Sequence, residues 1–276
     1  MIECKGTYFI KDGHLFPVGM VEVLTTDAIL IYEVTRVIDG VCLFLGDHYK
    51  RLLNSAKLAG VPLKMTEGEF AVEIQALIQA NKMPNGNIKI LVQYGNSQQG
   101  AFFYFIPHVY PTADNYRQGV KTDFLLAERN LPRAKTVQQR LREEANSAIQ
   151  KSGLFEVILV NSENQILEGS RTNIFFVKGN EFYTPPSEFV LPGITRQKVV
   201  ECLARLKLPC IDKTIDVDQT AVYDAVFLTG TSPKVLPVSS IGKQKFDPQH
   251  QALRLLMKAY DEEIETYIKN IKNKGL

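Results

Sequence analysis

A glutamate, Glu168, occupies the middle of the stretch of this 276-residue chain that is richest in chemical signals. It is followed at once by a glycine and a serine, and apolar runs typical of strands lie on both sides of it. Because a negative charge favours a protonated neighbour, a carboxylate fixed on a sheet can bind such a group. Exposure to solvent at a strand end is the alternative for a lone glutamate. The surroundings favour a site, since Asn173 precedes two phenylalanines, a Pro-Pro turn follows, and LPGITR stands at an expected helix start.

Basic residues earlier in the chain offer complementary chemistry. Lys135 precedes Glu168 by 168 − 135 = 33 residues, a separation that a helix, a strand and a tight turn can fold back on itself. His48 and Arg51 are three residues apart near another expected helix start, so both lie on one helix face. A solvated lysine and a solvated basic helix face are the alternatives for these residues.

Several short motifs follow one another in order over residues 155–196. They are E-G-x-x-x-N-x-F from Glu168, then Tyr-Thr-Pro-Pro, then L-P-G-I-T-R. Together they resemble the core signature of the class IV (fold type IV) aminotransferases, which use pyridoxal 5'-phosphate. That family includes branched-chain and D-amino-acid aminotransferases and 4-amino-4-deoxychorismate lyase. Weaker similarity extends from Tyr32 to Ser232, so the resemblance covers most of the chain.

The resemblance implies a catalytic role for Lys135, which stands where the family has its cofactor-binding lysine, between a segment similar to RNLPRAK and a helix that ends in glycine. This amine is expected to bind the cofactor covalently and then to act as general acid and base. Glu168 is expected to hold the proton of the cofactor's ring nitrogen, because a nearby carboxylate favours the protonated ring.

The resemblance also implies residues that bind the cofactor phosphate. Arg51 lies in DHYKRL, which is similar to the family's H-x-x-R-L element, and a guanidinium offers forked donors to phosphate oxygens and stays charged. Ile194 and Thr195 stand at a helix N-terminus, where the helix dipole favours an anion. Thr231 follows the glycine of a later turn.

The chain departs from the family pattern at three places near the expected substrate site. Ala28-Ile29-Leu30-Ile31 replaces small glycines, so the entrance near Tyr32 is expected to be narrower. Arg140 stands five residues after the lysine, where branched-chain enzymes usually have a tyrosine. Gln99 and Ala101 take the places of the R-x-H of the D-amino-acid enzymes. Tyr32, Gln99 and Arg140 are therefore candidate substrate residues, and the sequence supports the cofactor better than any one substrate.

The resemblance leaves three functions open. The first is a transaminase that passes the amino group of an amino acid, with branched-chain amino acids among the options, to a 2-keto acid such as 2-oxoglutarate. The second is a 4-amino-4-deoxychorismate lyase that releases pyruvate. The third is a protein that binds pyridoxal phosphate without turnover, which the residues at positions 140 and 99 allow.

Composition restricts the partners and the setting. Basic residues exceed acidic ones by only 32 − 30 = 2, without a long run of one sign, so nucleic acid and acidic membranes are not expected as partners. Apolar stretches fall short of the ~18 residues of a membrane span. Glu3 and Lys5 lie where a secretory signal would be apolar, which favours a cytoplasmic protein. The four cysteines form no C-x-x-C pair, so no metal site is expected.

The elements that must position these residues are predicted from periodicity and capping signals. The predicted strands are an N-terminal hairpin that begins with residues 2–10, then Ile29–Val37, Val41–Leu45, Ile88–Tyr94, Ala101–Ile106, a strand that begins near Val120, Phe155–Val160, Asn173–Val177, Phe182–Thr184, a strand near Cys210–Asp216, and Ala225–Thr229. The predicted helices start after an Asp47 cap, at Thr66, near Thr136, at Gln197 and at Asp247-Pro248.

The predicted architecture is an α+β fold of two domains. Residues 1–112 are expected to form a small α/β domain, 113–118 a linker, and 119–276 a larger cofactor-binding domain, which the resemblance identifies as a pseudo-barrel. The resemblance further implies a homodimer in which a loop of one subunit reaches its neighbour's pocket. The candidate loop is Asn96–Gly100, which by itself is typical of an exposed hairpin tip.

Overall fold

The computed structural model describes residues 4–20, 28–95 and 99–274. The chain divides into two compact units. The first unit comprises residues 1–109, 134–137 and 264–276, and the second comprises residues 110–133 and 138–263. Residues 134–137 and 264–276 therefore group with the first unit, whereas the predicted domain ranges assign them to the second.

The first unit contains an antiparallel sheet with helices on one face. Its described strands are β1 (Lys5–Lys11), β2 (His14–Pro17), β3 (Ile29–Ile38), β4 (Val41–Cys42), β5 (Gly86–Tyr94) and β6 (Gln99–Ile106). Their order in the sheet is β2-β1-β6-β5-β3-β4. The helices are α1 (Leu45–Leu58) and α2 (Glu67–Asn81). Alternate residues of the strands, such as Ile31, Ile90 and Phe103, form a core with the apolar faces of the helices.

Local sequence accounts for the ends of these helices. Thr66 and Glu69 form a capping box at the start of α2, which confirms the predicted helix start. The predicted Asp47 cap is wrong, because α1 begins at Leu45 after Phe44, which adopts a left-handed conformation with φ 51°. That residue ends β4 early and makes the predicted strand Val41–Leu45 too long. Asp47 instead lies in the first turn of α1, where its charge complements the helix dipole.

A short segment around Lys135 extends the edge of the first sheet. The backbone N–H of Tyr32 donates to the carbonyl of Lys135, and the N–H of Val137 donates to the carbonyl of Leu30. These residues pair with β3 in an extended conformation, so the helix predicted from Thr136 starts later than expected.

The second unit is built on a mixed sheet. Its described strands are β7 (Val120–Leu126), β8 (Glu156–Val160), β9 (Gln165–Gly169), β10 (Asn173–Lys178), β11 (Glu181–Thr184), β12 (Cys210–Asp212), β13 (Ile215–Asp216), β14 (Ala225–Gly230), β15 (Lys234–Ile241) and β16 (Gln244–Lys245). The main path is β12-β11-β10-β14-β15-β7-β8-β9-β13, and β16 pairs with β15. Strand β7 is parallel to both of its neighbours. One face carries Ile174, Phe176 and Leu228 in its core, whereas Phe175 and Phe227 stack on the other face with ring centroids 4.9 Å apart.

Four of the described α-helices precede, separate or follow these strands in the chain, and the end of the last one, from residue 264, groups with the first unit. They are α3 (Ala113–Gln118), α4 (Gln139–Ser152), α5 (Ile194–Arg205) and α6 (Gln251–Asn273). The predicted glycine stop of α4 is confirmed, since Gly153 has φ 61°. Residues 113–118 were predicted to be a linker but form α3, which starts with a capping box between Thr112 and Asn115. The last helix begins at Gln251 rather than at Asp247-Pro248.

The α+β prediction is thus confirmed. Strand β9, which carries Glu168, and strand β15 are additions to the predicted elements. Among the described residues, no helix has both the length and the apolar character that crossing a bilayer requires.

Candidate active site

In the first unit, Arg51 of α1 contacts a buried carboxylate on β3. Arg51 Nε donates to Glu33 Oε1 at 2.8 Å, and Arg51 Nη2 donates to Glu33 Oε2 at 2.6 Å. His48 Nδ1 lies 2.8 Å from the same Oε2, and Glu33 is 0 % exposed. The sequence predicted that His48 and Arg51 share a helix face but missed Glu33. The alternation of β3 could have found it, because Glu33 lies on the face opposite to Tyr32.

This contact keeps the carboxylate ionised. Burial by itself raises the pKa of Glu33, but the charge and hydrogen bonds of Arg51, together with those of His48, lower it overall from 4.5 to about 2. Burial also lowers the pKa of His48 below its ordinary value, although Glu33 partly opposes this. The imidazole is therefore neutral near pH 7, and the guanidinium plane of Arg51 is fixed by a bidentate ion pair.

Lys135 joins this group through its backbone and its side chain. Its N–H donates to Ser55 Oγ at 3.1 Å, and that hydroxyl donates to the carbonyl of Arg51 at 2.9 Å. Its Nζ lies 4.7 Å from the centroid of the Tyr32 ring. Lys89, which the sequence analysis did not single out, places its Nζ 5.1 Å from the same ring. The structure thus places the Lys135 ammonium beside Tyr32 and links the Lys135 backbone, through Ser55, to the backbone of Arg51.

Gln99 occupies a different part of the first unit. It pairs with Tyr94 across β5 and β6, and both residues line a cavity of about 450 Å³ together with Asp12, Glu69, Glu73 and others. Tyr94 packs with the core on the helix side of the sheet, whereas Tyr32 belongs to the cluster on the opposite side. Within one chain, Gln99 and Tyr32 therefore lie on opposite faces of the sheet. Of the predicted loop, residues 96–98 lie outside the described residues.

In the second unit, Glu168 is held by donors from a side chain of an arginine, a side chain of an asparagine and a backbone amide. Arg129 Nε donates to Oε1 at 2.7 Å, and Oε2 accepts from Asn173 Nδ2 at 3.0 Å and from the N–H of Leu191 at 3.2 Å. Glu168 is only 2 % exposed, so the alternative of a solvated strand end is wrong. The positive charge of Arg129 compensates the buried carboxylate. Sequence reasoning missed Arg129, although it begins the quoted RNLPRAK segment.

Asn173 connects this carboxylate to the N-terminus of α5. Its Nδ2 also donates to the carbonyl of Leu191, at 2.9 Å. A Cβ atom at Gly193, the residue before α5, would lie 2.0 Å from Asn173 Oδ1, so a larger residue there must displace Asn173 or the start of α5. The first residues of α5, Ile194 and Thr195, are buried and carry N–H groups that have no acceptor within the helix.

Thr231 follows the strand that pairs with Asn173. In the register of β10 and β14, Asn173 faces Thr229, so the turn of residues 230–232 lies just beyond Asn173. Thr229 is 1 % exposed, and its Oγ1 has no hydrogen-bond partner among the described residues. These residues fit a ligand that has an anionic group and a protonated ring. The unpaired hydroxyl and the helix N-terminus suit the anion, and the fixed carboxylate suits the ring.

Arg140 is placed apart from these contacts. It is the second residue of α4, its side chain is 93 % exposed, and its Nε donates to Glu144 Oε1 at 3.0 Å. This is an ordinary pair of residues one helical turn apart. Among the described residues, histidine, cysteine and carboxylate side chains form no group that could hold a metal ion.

An amine beside an aromatic ring, a fixed guanidinium, a buried carboxylate and a helix N-terminus are the groups that a pyridoxal phosphate enzyme requires. Comparison with known proteins agrees with this class. The family model for amino-transferase class IV matches residues 30–241, and the chain belongs to that family, whose members depend on pyridoxal phosphate. The predicted family, cofactor and enzyme class are therefore confirmed.

Individual relatives show the same similarity. D-alanine aminotransferase of Bacillus licheniformis is 29 % identical over 236 residues, which cover 78 % of this chain and 79 % of that protein. The holo form of a branched-chain amino acid aminotransferase from Thermobaculum terrenum has a TM-score of 0.79 at 22 % identity and 96 % coverage of both chains. A Legionella pneumophila protein assigned as a 4-amino-4-deoxychorismate lyase has a TM-score of 0.79 at 22 % identity, with 88 % of this chain and 96 % of that chain covered. The likeness to these structures confirms the fold type IV prediction.

Proposed function

We propose that this class IV aminotransferase transfers the amino group of an amino acid to a 2-keto acid such as 2-oxoglutarate. The observation that carries the proposal is the Glu168 carboxylate, held by Arg129 and Asn173 next to the start of α5. A buried, ionised carboxylate beside a helix N-terminus can favour a protonated pyridine ring, which supports this role for Glu168. Similarity to D-alanine and branched-chain aminotransferases makes D-amino acids and branched-chain amino acids the first donors to test.

Each proposed residue has one role. When bound, pyridoxal phosphate supplies the electron sink for the negative charge that develops at the α-carbon of the substrate. Lys135 binds the cofactor covalently and afterwards carries the proton that leaves the α-carbon. Glu168 holds the proton of the ring nitrogen. The phosphate is bound by the donors of Arg51, Ile194, Thr195 and Thr231.

The substrate residues follow from the same proposal. Tyr32 shares a sheet face with Lys89 and is adjacent to the Lys135 ammonium, which supports a place beside the reacting amine. Gln99 lies on the other face of that sheet, so we assign its substrate role to the neighbouring subunit of a homodimer. The exposure of Arg140 indicates a solvated side chain. This chain therefore has no equivalent of the tyrosine that branched-chain enzymes have at that position.

A lyase is the second candidate, and the similarity to the Legionella protein favours it. Both reactions require Lys135, but only transamination requires an acceptor keto acid. The purified protein is incubated with L- and D-amino acids and 2-oxoglutarate, and separately with aminodeoxychorismate alone. Amino transfer that depends on the acceptor supports the transaminase. Pyruvate release without an acceptor supports the lyase. A yellow protein that fails to reach the pyridoxamine form with any donor supports binding without turnover.

A further inference from the structure

A third buried carboxylate, Glu156, lies in the second unit near Glu168 but has no part in the roles assigned above. It is in β8 and is 2 % exposed. Its Oε1 accepts from Ser170 Oγ at 2.7 Å and from the N–H of Val157 at 3.0 Å. Its Oε2 accepts from the N–H of Arg171 at 3.1 Å and from Thr172 Oγ1 at 3.3 Å. Burial of a carboxylate is costly unless several donors satisfy it, and here the donors come mainly from one turn.

The turn that supplies these donors lies between Glu168 and the asparagine that donates to it. Residues 169–172 connect Glu168 to Asn173, and the turn is tightly packed, since a Cβ at Gly169 would lie 2.1 Å from Thr172 Oγ1. The conformation of the turn therefore sets the direction in which both side chains leave the backbone. Glu156 holds three consecutive residues of this turn.

Ser170 connects Glu156 to Glu168 through Arg129. Its hydroxyl donates to Glu156, while its carbonyl accepts from Arg129 Nη2 at 2.7 Å. Arg129 Nε in turn donates to Glu168 Oε1 at 2.7 Å. A continuous hydrogen-bonded chain thus runs from Glu156 through Ser170 and Arg129 to Glu168.

We propose that Glu156 is a positioning residue that fixes the turn of residues 169–172 and, through Ser170 and Arg129, the orientation of the Glu168 carboxylate. The inference rests on the proposed role of Glu168 towards the ring nitrogen. Productive geometry tolerates deviations of only about 0.5 Å, so a released turn moves the carboxylate out of range. Without an acceptor at Oε2, the N–H of Arg171 and the buried hydroxyl of Thr172 must find other partners, and the turn rearranges.

The test compares Glu156→Gln with wild type in cofactor affinity and in the visible absorption of the bound cofactor as a function of pH. The amide keeps one acceptor oxygen but presents an N–H₂ group to the donors of Arg171 and Thr172. We expect roughly tenfold weaker binding of pyridoxal phosphate, the factor typical of one lost charge-assisted hydrogen bond, and an absorption that shifts towards that of Glu168→Gln. Thr184→Val is the matched control, because it removes a buried hydrogen bond of the same unit, to the carbonyl of Ile174 at 2.9 Å. It should lower the melting temperature but leave the absorption unchanged.

A double variant separates positioning from simple destabilisation. If Glu156 acts through Glu168, Glu156→Gln adds no further spectral change in a Glu168→Gln background. Additive spectral changes, or a Glu156→Gln protein that binds cofactor with the wild-type spectrum, overturn the inference. If Glu156→Gln does not fold, Ser170→Ala tests the inference, because it removes only the hydroxyl that donates to Glu156. A wild-type spectrum in Ser170→Ala also overturns the inference. If Glu168→Gln alone leaves spectrum and rate unchanged, the proposed role of Glu168 fails first, and the positioning role fails with it.

Discussion

At the residue scale, buried carboxylates in both units are matched by an arginine or by several hydrogen-bond donors. Glu33 is paired with Arg51, Glu168 with Arg129, and Glu156 with the turn that follows β9. Such pairs stabilise a fold only weakly compared with apolar packing of the same volume, because desolvation offsets the attraction. Their main effect is on orientation, because a bidentate or multiply bonded carboxylate is held in one direction. We therefore interpret these pairs as contacts that hold the proposed cofactor-binding groups in place.

Glu168→Gln tests the residue that carries the proposed function. The amide retains the shape of the carboxylate but cannot favour a protonated ring nitrogen. We expect cofactor to remain bound and removal of the α-proton to slow by roughly 10²–10⁴-fold, the range of general acid-base contributions. Single-turnover measurement of the conversion to the pyridoxamine form gives the rate. Equal rates in variant and wild type would refute the role of Glu168.

The Glu33 group predicts how stability depends on pH. Because the pKa of Glu33 is lowered from 4.5 to about 2, its contribution is present above pH 4.5 and is lost as the pH falls towards 2. The lowered pKa of buried His48 acts in the same direction, with loss that begins below pH 6.5. In both cases the unfolded chain binds more protons, so acid favours unfolding. The lowered pKa of Glu33 contributes on the order of 3 kcal/mol to the free energy of unfolding at neutral pH.

Melting curves between pH 7 and pH 3 measure this dependence. We expect Glu33→Gln to reduce the loss of stability below pH 4.5 while it lowers stability at pH 7. Glu67→Gln, a change at an exposed position in the first turn of α2, serves as the control and should keep the wild-type pH dependence. A wild-type pH profile in Glu33→Gln would show that this carboxylate is not the titrating group.

At the element scale, the start of α5 depends on a close contact with β10. Gly193 has φ −63° and ψ 134°, values that any residue adopts, so its requirement for glycine is steric and not conformational. The contact partner is Asn173, which also bonds Glu168. One glycine thus sets the distance between the helix N-terminus and the site carboxylate.

Gly193→Ala should therefore weaken cofactor binding strongly. The new methyl group displaces Asn173 or the first turn of α5, and we expect loss of affinity for pyridoxal phosphate of about tenfold or more. Gly68→Ala is the control, because a Cβ at that position in α2 meets open space. It should raise stability by about 1 kcal/mol without a change in affinity. Unchanged affinity in Gly193→Ala would contradict the phosphate site at α5.

Part of this arrangement could be predicted from the sequence. Strong periodicity and capping signals gave β3, α2 and the glycine stop of α4 close to their observed ends. Strand β9 escaped because its five residues acquire their conformation by pairing with β8 and β13, which no local pattern reports. Arg129, Glu33 and Glu156 escaped for a related reason, since their partners lie 14 to 39 residues away in the chain. The motif order predicted Lys135 and Glu168, whereas the partners of Glu168 required the folded chain.

At the scale of the whole molecule, the predicted domain boundaries, the homodimer and the cytoplasmic location stay predictions. The structure bears on the homodimer in one way: Gln99 and Tyr32 lie on opposite faces of one sheet, so Gln99 would reach a substrate held beside Tyr32 only from a second subunit. Light scattering of the purified protein should give the mass of a dimer. Gln99→Ala should raise KM for the amino donor while cofactor affinity stays at the wild-type value. A fully active monomer would contradict both the assembly and the role of Gln99.

The central claim is that Lys135 carries the cofactor of this aminotransferase. Reduction of the protein with borohydride in the presence of pyridoxal phosphate, followed by peptide mapping, tests it directly. Lys89→Ala provides a matched control, because its ammonium group lies near the same Tyr32 ring, 5.1 Å from the centroid, compared with 4.7 Å for Lys135. We expect the pyridoxyl group on the peptide that contains Lys135 in both wild type and Lys89→Ala, and no labelled peptide in Lys135→Ala. A pyridoxyl group on any other lysine of the wild-type protein would contradict the account.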